Sequence, residues 1–392
     1  RGRCRGALPV PVGGGRRQPQ HQQERPDQRR PQAAVRAGAA FRVRLTAFGD
    51  LLALPTLGAL RTYRGSEVDL GFRDGVLTLR QGAAAPVAVL VAPGGTGAAA
   101  GHPTRSGDPR WLPLRTLPAL VPGAAPVLLD DLDPYGTAGS GLERHGLGAV
   151  TRLDAGSRAV WAASWAGTEP VLRVGGAHRT AEAALLLRCL VPLAPPPGER
   201  TSHCSGTRRE AFGAVLSSRP STPGHLAATL VHELQHAKLS ALAALVRLHG
   251  EGPEEAYFAP WRTDPRPFDG LLQGAYSHLA LAEYWQGHAL AARTTAQRDF
   301  AWTEHARCAE QVAAVLPVLA ASRTLTPQGR VLVDEMRATC DGLAKEPPPP
   351  GHATRARAYI STAHTLWRQR WGTDPGGTAA RARGEARKRP DA

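Results

Sequence analysis

An α+β fold is predicted, with a β-containing N-terminal part followed by a mainly helical part that carries an HExxH helix. Three observations predict it. Residues 41–103 hold short alternating apolar runs separated by glycine-rich breaks, and the chain beyond Pro223 holds long segments of helical periodicity. One of those helical segments contains His232-Glu233-Leu234-Gln235-His236. The 392 residues, 42% of them hydrophobic, suffice for one large domain or two ordinary ones with a substantial core. The expected divisions are a basic tail over 1–40, a β-rich then helical part over 41–195, the helical HExxH part over 196–371 and a second tail over 372–392.

Residues 1–40 are rich in Arg, Gln, Pro and Gly with almost no apolar period, and read as disordered. The chain begins with Arg rather than Met, which suggests an incomplete or shifted reading frame upstream. Phe41-Arg42-Val43-Arg44-Leu45, Val76-Leu77-Thr78-Leu79 and Val87 to Val91 alternate as strands do; Trp111 to Leu114 and Leu128 to Tyr135 read as extended pieces. Asp130, Asp131 and Asp133 lack the rest of a calcium loop and read as structural or surface residues. Residues 157–193 look helical, broken at Val174-Gly175-Gly176, and Pro195 to Pro197 form a stiff connection. Thr222-Pro223 is a cap followed by proline at the first helical position. It opens the HExxH helix, expected to run to about His249. Tyr257 to Pro267 is a stiff loop with unusual aromatic and Arg content. Further helices are expected at about 271–292, 295–323, 326–345 and 353–371, and residues 372–392 read as disordered. No internal repeat is evident.

The formal charge of +15 is confined to the ends. Residues 1–44 hold eleven Arg against Glu24 and Asp27, residues 355–371 four Arg and no acid, and residues 372–392 five basic against three acidic side chains, which leaves the body neutral. A neutral body argues against a nucleic-acid groove. Five scattered Cys with no CxxC pair suit a reducing compartment. No apolar stretch reaches membrane-spanning length and no signal-peptide pattern is present, so a cytoplasmic protein without membrane contact is expected.

The HExxH segment carries the chemistry. Residues four apart share a helix face, so His232 and His236 can direct two imidazole nitrogens at one metal ion, with Glu233 beside the first. Leu226, Leu230, Ala237, Ala241 and Leu245 supply the apolar stripe that a chance match in a loop would lack. Two histidines leave a metal short of ligands. The metzincin pattern would need Gly and His where Leu239 and Leu242 stand, and is closed. A thermolysin-like zinc peptidase would take Glu283 from a later helix and use Glu233 as general base. His278 is the other candidate.

Leu230 to Leu245, Tyr257 to Pro267 and Gly270-Leu271-Leu272-Gln273-Gly274-Ala275-Tyr276-Ser277-His278 together resemble the HExxH-type, 2-oxoglutarate-dependent peptide β-hydroxylases. Weaker echoes lie at Leu54 to Gly58, Leu129 to Tyr135, Glu210 to Val215 and near Trp367, so the likeness covers roughly 45–371. It implies a metal-binding part that holds Fe(II) through His232, His236 and His278, with 2-oxoglutarate and O2 as co-substrates. The reaction implied is β-carbon hydroxylation of a residue in a ribosomally synthesised precursor peptide. A distal carboxylate calls for a planar cationic fork, for which Arg266 and then Arg262 are the candidates; Gln273 and Tyr276 are expected to line the pocket. Under this reading Glu233 orients a ligand, bound water or substrate. The zinc peptidase remains the alternative. The family's longer helical N-terminal portion has no counterpart in the Arg/Gln/Pro-rich start.

Overall fold

Alternation of apolar side chains builds the first half of the computed structural model, which describes residues 30–47, 49–63, 65–92, 104–133, 147–195, 203–250, 252 and 256–372. A short helix α1 (Arg30–Arg36) leads into β1 (Phe41–Thr46), β2 (Leu51–Leu54), β3 (Gly58–Arg61), β4 (Glu67–Arg73), β5 (Val76–Arg80), β6 (Val87–Val91), β7 (Thr104–Arg105) and β8 (Trp111–Pro113). One antiparallel sheet runs β1-β4-β5-β6-β7 and a smaller one β2-β3-β8. In β4 and β5 every second side chain is buried, so Val68, Leu70, Phe72, Leu77 and Leu79 form a core with Leu52, Leu54, Leu60 and Trp111. Helix α1 lies inside the stretch expected to be disordered. Val35 is buried in that same core, and one apolar anchor in an Arg-rich run leaves no periodicity to read.

A second five-stranded sheet positions the site. It consists of β9 (Arg115–Leu117), β10 (Val127–Leu129), β11 (Cys189–Leu193), β12 (Ser205–Thr207) and β13 (Ala214–Ser218), in the order β12-β13-β11-β10-β9. The pairs β10–β11 and β11–β13 are parallel, and the two edge pairs antiparallel. The crossover from β10 to β11 carries α2 (Ala155–Ala166), α3 (Thr168–Val174) and α4 (Ala177–Leu186). The sequence reading carried the helix through Leu190. It stops at Leu186, and Cys189 to Leu193 is the middle strand, because a five-residue apolar run fits a buried strand as well as a helical turn. The boundary expected at 195–196 therefore falls inside one sheet, between β11 and the later strands β13, its neighbour, and β12 beyond it. Asp130 and Asp131 are buried at the end of β10. Asp130 accepts from the Leu132 and Asp133 amides and Asp131 from the Leu153 amide, which is a structural role; Tyr135 lies outside the described residues.

The helical part follows as α5 (Pro223–Leu245), α6 (Phe268–Ala291), α7 (Thr295–Ala321), α8 (Pro327–Leu343) and α9 (Pro350–Trp371). Thr222 and Thr326 each accept a hydrogen bond from an amide of the first turn ahead of Pro at the first helical position, and Thr294 with Gln297 completes a capping box. Helix α5 ends at Leu245, short of the expected His249. Val246 is already extended, and His249 bridges to Leu325. Leu226, Leu230, Val231 and Leu234 pack one face of α5 against Trp161, Trp165 and Leu172 from the crossover helices and Val215 from the sheet. Trp161 and Tyr284 are fully buried in this core, and α7 lies along α6. No described helix is long and apolar enough to cross a membrane.

Behind α5 a chain of charges ties it to the crossover. Glu182 on α4 takes Lys238 and the Gln235 amide, and Arg179 reaches Glu182 at 3.2 Å and also Glu283 on α6. Burial alone would raise the Glu182 pKa, but the Lys238 ammonium, with Arg179 and Gln235, outweighs it and holds the carboxyl below its usual value.

Candidate metal centre

Helical phase brings His232 and His236 to one face of α5, and their Nε2 atoms stand 3.2 Å apart. Two nitrogens each about 2.1 Å from one ion and roughly at right angles to it would be about 3 Å apart, so the pair has the spacing of adjacent ligands. His278, one helix on, presents its ring edge-to-face to His232 with centroids 5.3 Å apart. Among the described residues no three His, Cys, Asp or Glu side chains are drawn together closely enough to hold an ion as they stand. The pair is in place, with the third ring beside it.

The hydrogen bonds around the rings fit a ligand set. His278 Nδ1 donates to the Gly274 carbonyl at 2.8 Å, so in the neutral ring Nε2 keeps its lone pair. His236 Nδ1 stands 3.2 Å from the Gln273 amide oxygen, whose amide nitrogen faces Ser240 Oγ at 3.4 Å; that orientation makes Nδ1 the donor and leaves Nε2 bare. His232 Nδ1 is buried without a partner among the described residues. Burial favours the neutral form of His232 and His278. It drives the His232 pKa well below its ordinary value and, aided by the Arg307 charge, takes that of His278 down to about 3. Neutral imidazoles are the form that binds a metal.

Trp261, from the stiff loop, fixes the third ring. Its indole stacks on His278 with centroids 4.6 Å apart and planes 19° apart, and it lies flat on α6 at Gly274. A Cβ at position 274 would sit 2.2 Å from the indole Cζ2, so only glycine admits this contact. The loop holds its shape through the Tyr257–Arg266 bridge.

Glu233 turns away from the helix core toward the edge of the sheet. It is 3% exposed and accepts from Ser205 Oγ at 2.7 Å and from the Thr207 hydroxyl. Burial raises its pKa, opposed by the neighbouring His236 and the two hydroxyls. Two hydroxyl donors thus strap the HExxH carboxylate to β12.

These groups line a cavity of about 1320 Å³, together with Arg262, Arg266, Arg307, Arg370, Gln311 and Trp367. That exceeds the roughly 300–1,000 Å³ of an ordinary small-molecule pocket. Of the expected residues, His232, Glu233, His236, Arg262, Arg266, Gln273 and His278 all reach it, and Tyr276 does not. Two positions before His278 on α6, Tyr276 is rotated to another face and lies under the Lys238 ammonium, 5.8 Å from its ring centre. Glu283, the peptidase's third-ligand candidate, is also on another face of α6 and is ion-paired with Arg179. Arg262 forks Asp264 through Nε at 3.0 Å and a terminal nitrogen at 3.4 Å. Arg266 makes a longer contact with Asp264, 3.6 Å, and lies over the first turn of α6 at Gly270.

Arg307 escaped the sequence reading. It projects from α7, held by Glu304 at 2.6 Å, and is close enough for its charge to act on both His232 and His278. No motif surrounds it; only the packing of α7 on α6 brings it to the histidines. Ser205 and Thr207 were equally invisible, being two small polar residues in an unremarked stretch.

No protein-family model and no curated protein matches this chain.

Proposed function

We propose that this protein is an Fe(II)- and 2-oxoglutarate-dependent dioxygenase that hydroxylates a β-carbon in a ribosomally made precursor peptide. The observation that carries the reading is the histidine set, His232 and His236 at adjacent-ligand spacing with a neutral, oriented His278 beside them. Three imidazole nitrogen donors suit a divalent iron that must keep positions open for co-substrates. Iron, 2-oxoglutarate and O2 would supply the oxidising power, one oxygen atom going to the peptide and the other to succinate formed by decarboxylation.

The chain's own groups do the rest. Gln273 and the Gly274 carbonyl hold the tautomers of His236 and His278, Trp261 shields the third ligand from water, and the arginines receive the co-substrate's distal carboxylate. Arg307, though forked by Glu304, takes first place for that role because its charge alone of the three is felt at the histidines; Arg266 is second, and Arg262, forked by Asp264, is third. Glu233, strapped by two hydroxyls, positions α5 against β12. As the base of a zinc peptidase it would have to act on a metal-bound water while accepting from those hydroxyls, and Glu283 would need to leave Arg179.

Anaerobic addition of Fe(II) and 2-oxoglutarate is expected to give a visible charge-transfer band that His278→Ala abolishes. Absence of the band from the unaltered protein, with tight zinc retained, would turn the assignment to the peptidase. In the same titration Arg307→Gln is expected to weaken 2-oxoglutarate by about tenfold or more, the worth of a charge-assisted hydrogen bond, and Arg266→Gln by less. The reverse order would return the carboxylate to the loop.

A further inference from the structure

We infer that the open edge of β12 is a docking rail for an extended peptide, which joins the second sheet as an added strand beside the histidines; this rests on the peptide-substrate reading above. Among the described residues β12 has a neighbour, β13, on one side only. Backbone direction follows from one bond. The Ser218 amide donates to the Cys204 carbonyl at 2.8 Å, so Cys204 faces β13, and with the register Gly206↔Leu216 so does Gly206. In an antiparallel strand the N–H and C=O of a residue point the same way and alternate along the chain. Ser205 and Thr207 therefore present both main-chain groups to the open side.

Their side chains lie on the face toward α5, where both hydroxyls hold Glu233. Ser205, Gly206 and Thr207 all line the cavity. A strand added here would run about 4.8 Å outside β12, in the cavity that also contains His232 and His236. Main-chain pairing of this kind is one of the recurring ways in which proteins take up extended peptides. The cavity is larger than a small co-substrate requires, and β12 offers that edge at its wall.

The test uses the full chain loaded anaerobically with Fe(II) and 2-oxoglutarate and a degenerate library of acetylated, amidated octapeptides. The best-retained peptide is resynthesised with each amide N-methylated in turn. Pairing to Ser205 and Thr207 predicts that methylation at two amides, two residues apart, weakens binding about tenfold each, the cost of a lost and unreplaced hydrogen bond, while the amide between them tolerates it. No retained peptide, uniform tolerance, or losses at adjacent amides would overturn the rail. The charge-transfer band separates this from the oxygenase reading. A band without retained peptides removes the rail alone, and an alternating N-methyl pattern without a band removes the oxygenase and leaves the rail.

Discussion

On the iron reading proposed above, Gly274→Ala is expected to weaken Fe(II) binding by about 10- to 100-fold, the usual consequence of disturbing a group that orients a metal ligand. The added Cβ would meet three indole atoms of Trp261 at 2.2, 2.4 and 2.6 Å, on a helix buried against its neighbours, so the indole must leave. Its departure removes the ring stacked on His278 and opens that imidazole to water. Overpacking of this kind costs about 1–3 kcal/mol in folding stability, whereas alanine's higher helix propensity alone would stabilise by about 1 kcal/mol. The two effects have opposite signs, so a urea melt of the metal-free protein tells them apart. Competition against a chromophoric chelator measures the affinity. A variant both more stable and unimpaired in Fe(II) affinity would show that Trp261 does not hold the third histidine.

Arg179→Met is expected to destabilise the fold by about 3 kcal/mol, at the lower end of what removing one partner of a buried ion pair costs because Glu283 is partly exposed. Arg179 is itself 5% exposed and serves two carboxylates from different elements, Glu182 and Glu283. Without it Glu182 keeps Lys238 and the Gln235 amide, while Glu283 keeps His178 at 3.8 Å. The pH dependence has a definite sign. The folded-state pKa of Glu182 lies below its ordinary 4.5, so its ionised contacts contribute stability above about pH 4.5 and lose it as the pH falls through the lower folded value. The gap between wild type and variant should be full at neutral pH and shrink toward acid. Urea midpoints at pH 7 and near pH 4 decide it, and a gap that stays constant or widens in acid would remove the carboxylates from the explanation.

The helical part was legible because its signals are local. Thr222-Pro223 and Thr326-Pro327 mark starts, and α6, α7 and α9 lie within a few residues of their expected limits. The α+β class and strands β1, β5 and β6 of the first sheet were readable for the same reason, since alternation repeats every two residues. Strand β11 was not, because what makes it a strand is the pair of neighbours drawn from 127–129 and 214–218. In the site the same divide holds. His232 and His236 are found by spacing, His278 by the resemblance, and Trp261 sits in a stretch already conspicuous for its aromatics. Arg307 and the two hydroxyls on β12 are joined to the histidines by packing alone. Tyr276 failed because a motif fixes which residues are near in sequence, while helical rotation decides which of them share a face.

Helix α9 forms one wall of the cavity through Tyr359, Trp367 and Arg370, and Trp371 fastens its end to the stiff loop by donating to the Thr263 carbonyl at 3.0 Å. A ribosome delivers the chain in order, so His232, His236 and His278 emerge and can pair their helices well before this wall exists. For that interval the nascent site stands open on the α9 side. If the site takes an ion, loading during synthesis would thus precede enclosure by α9.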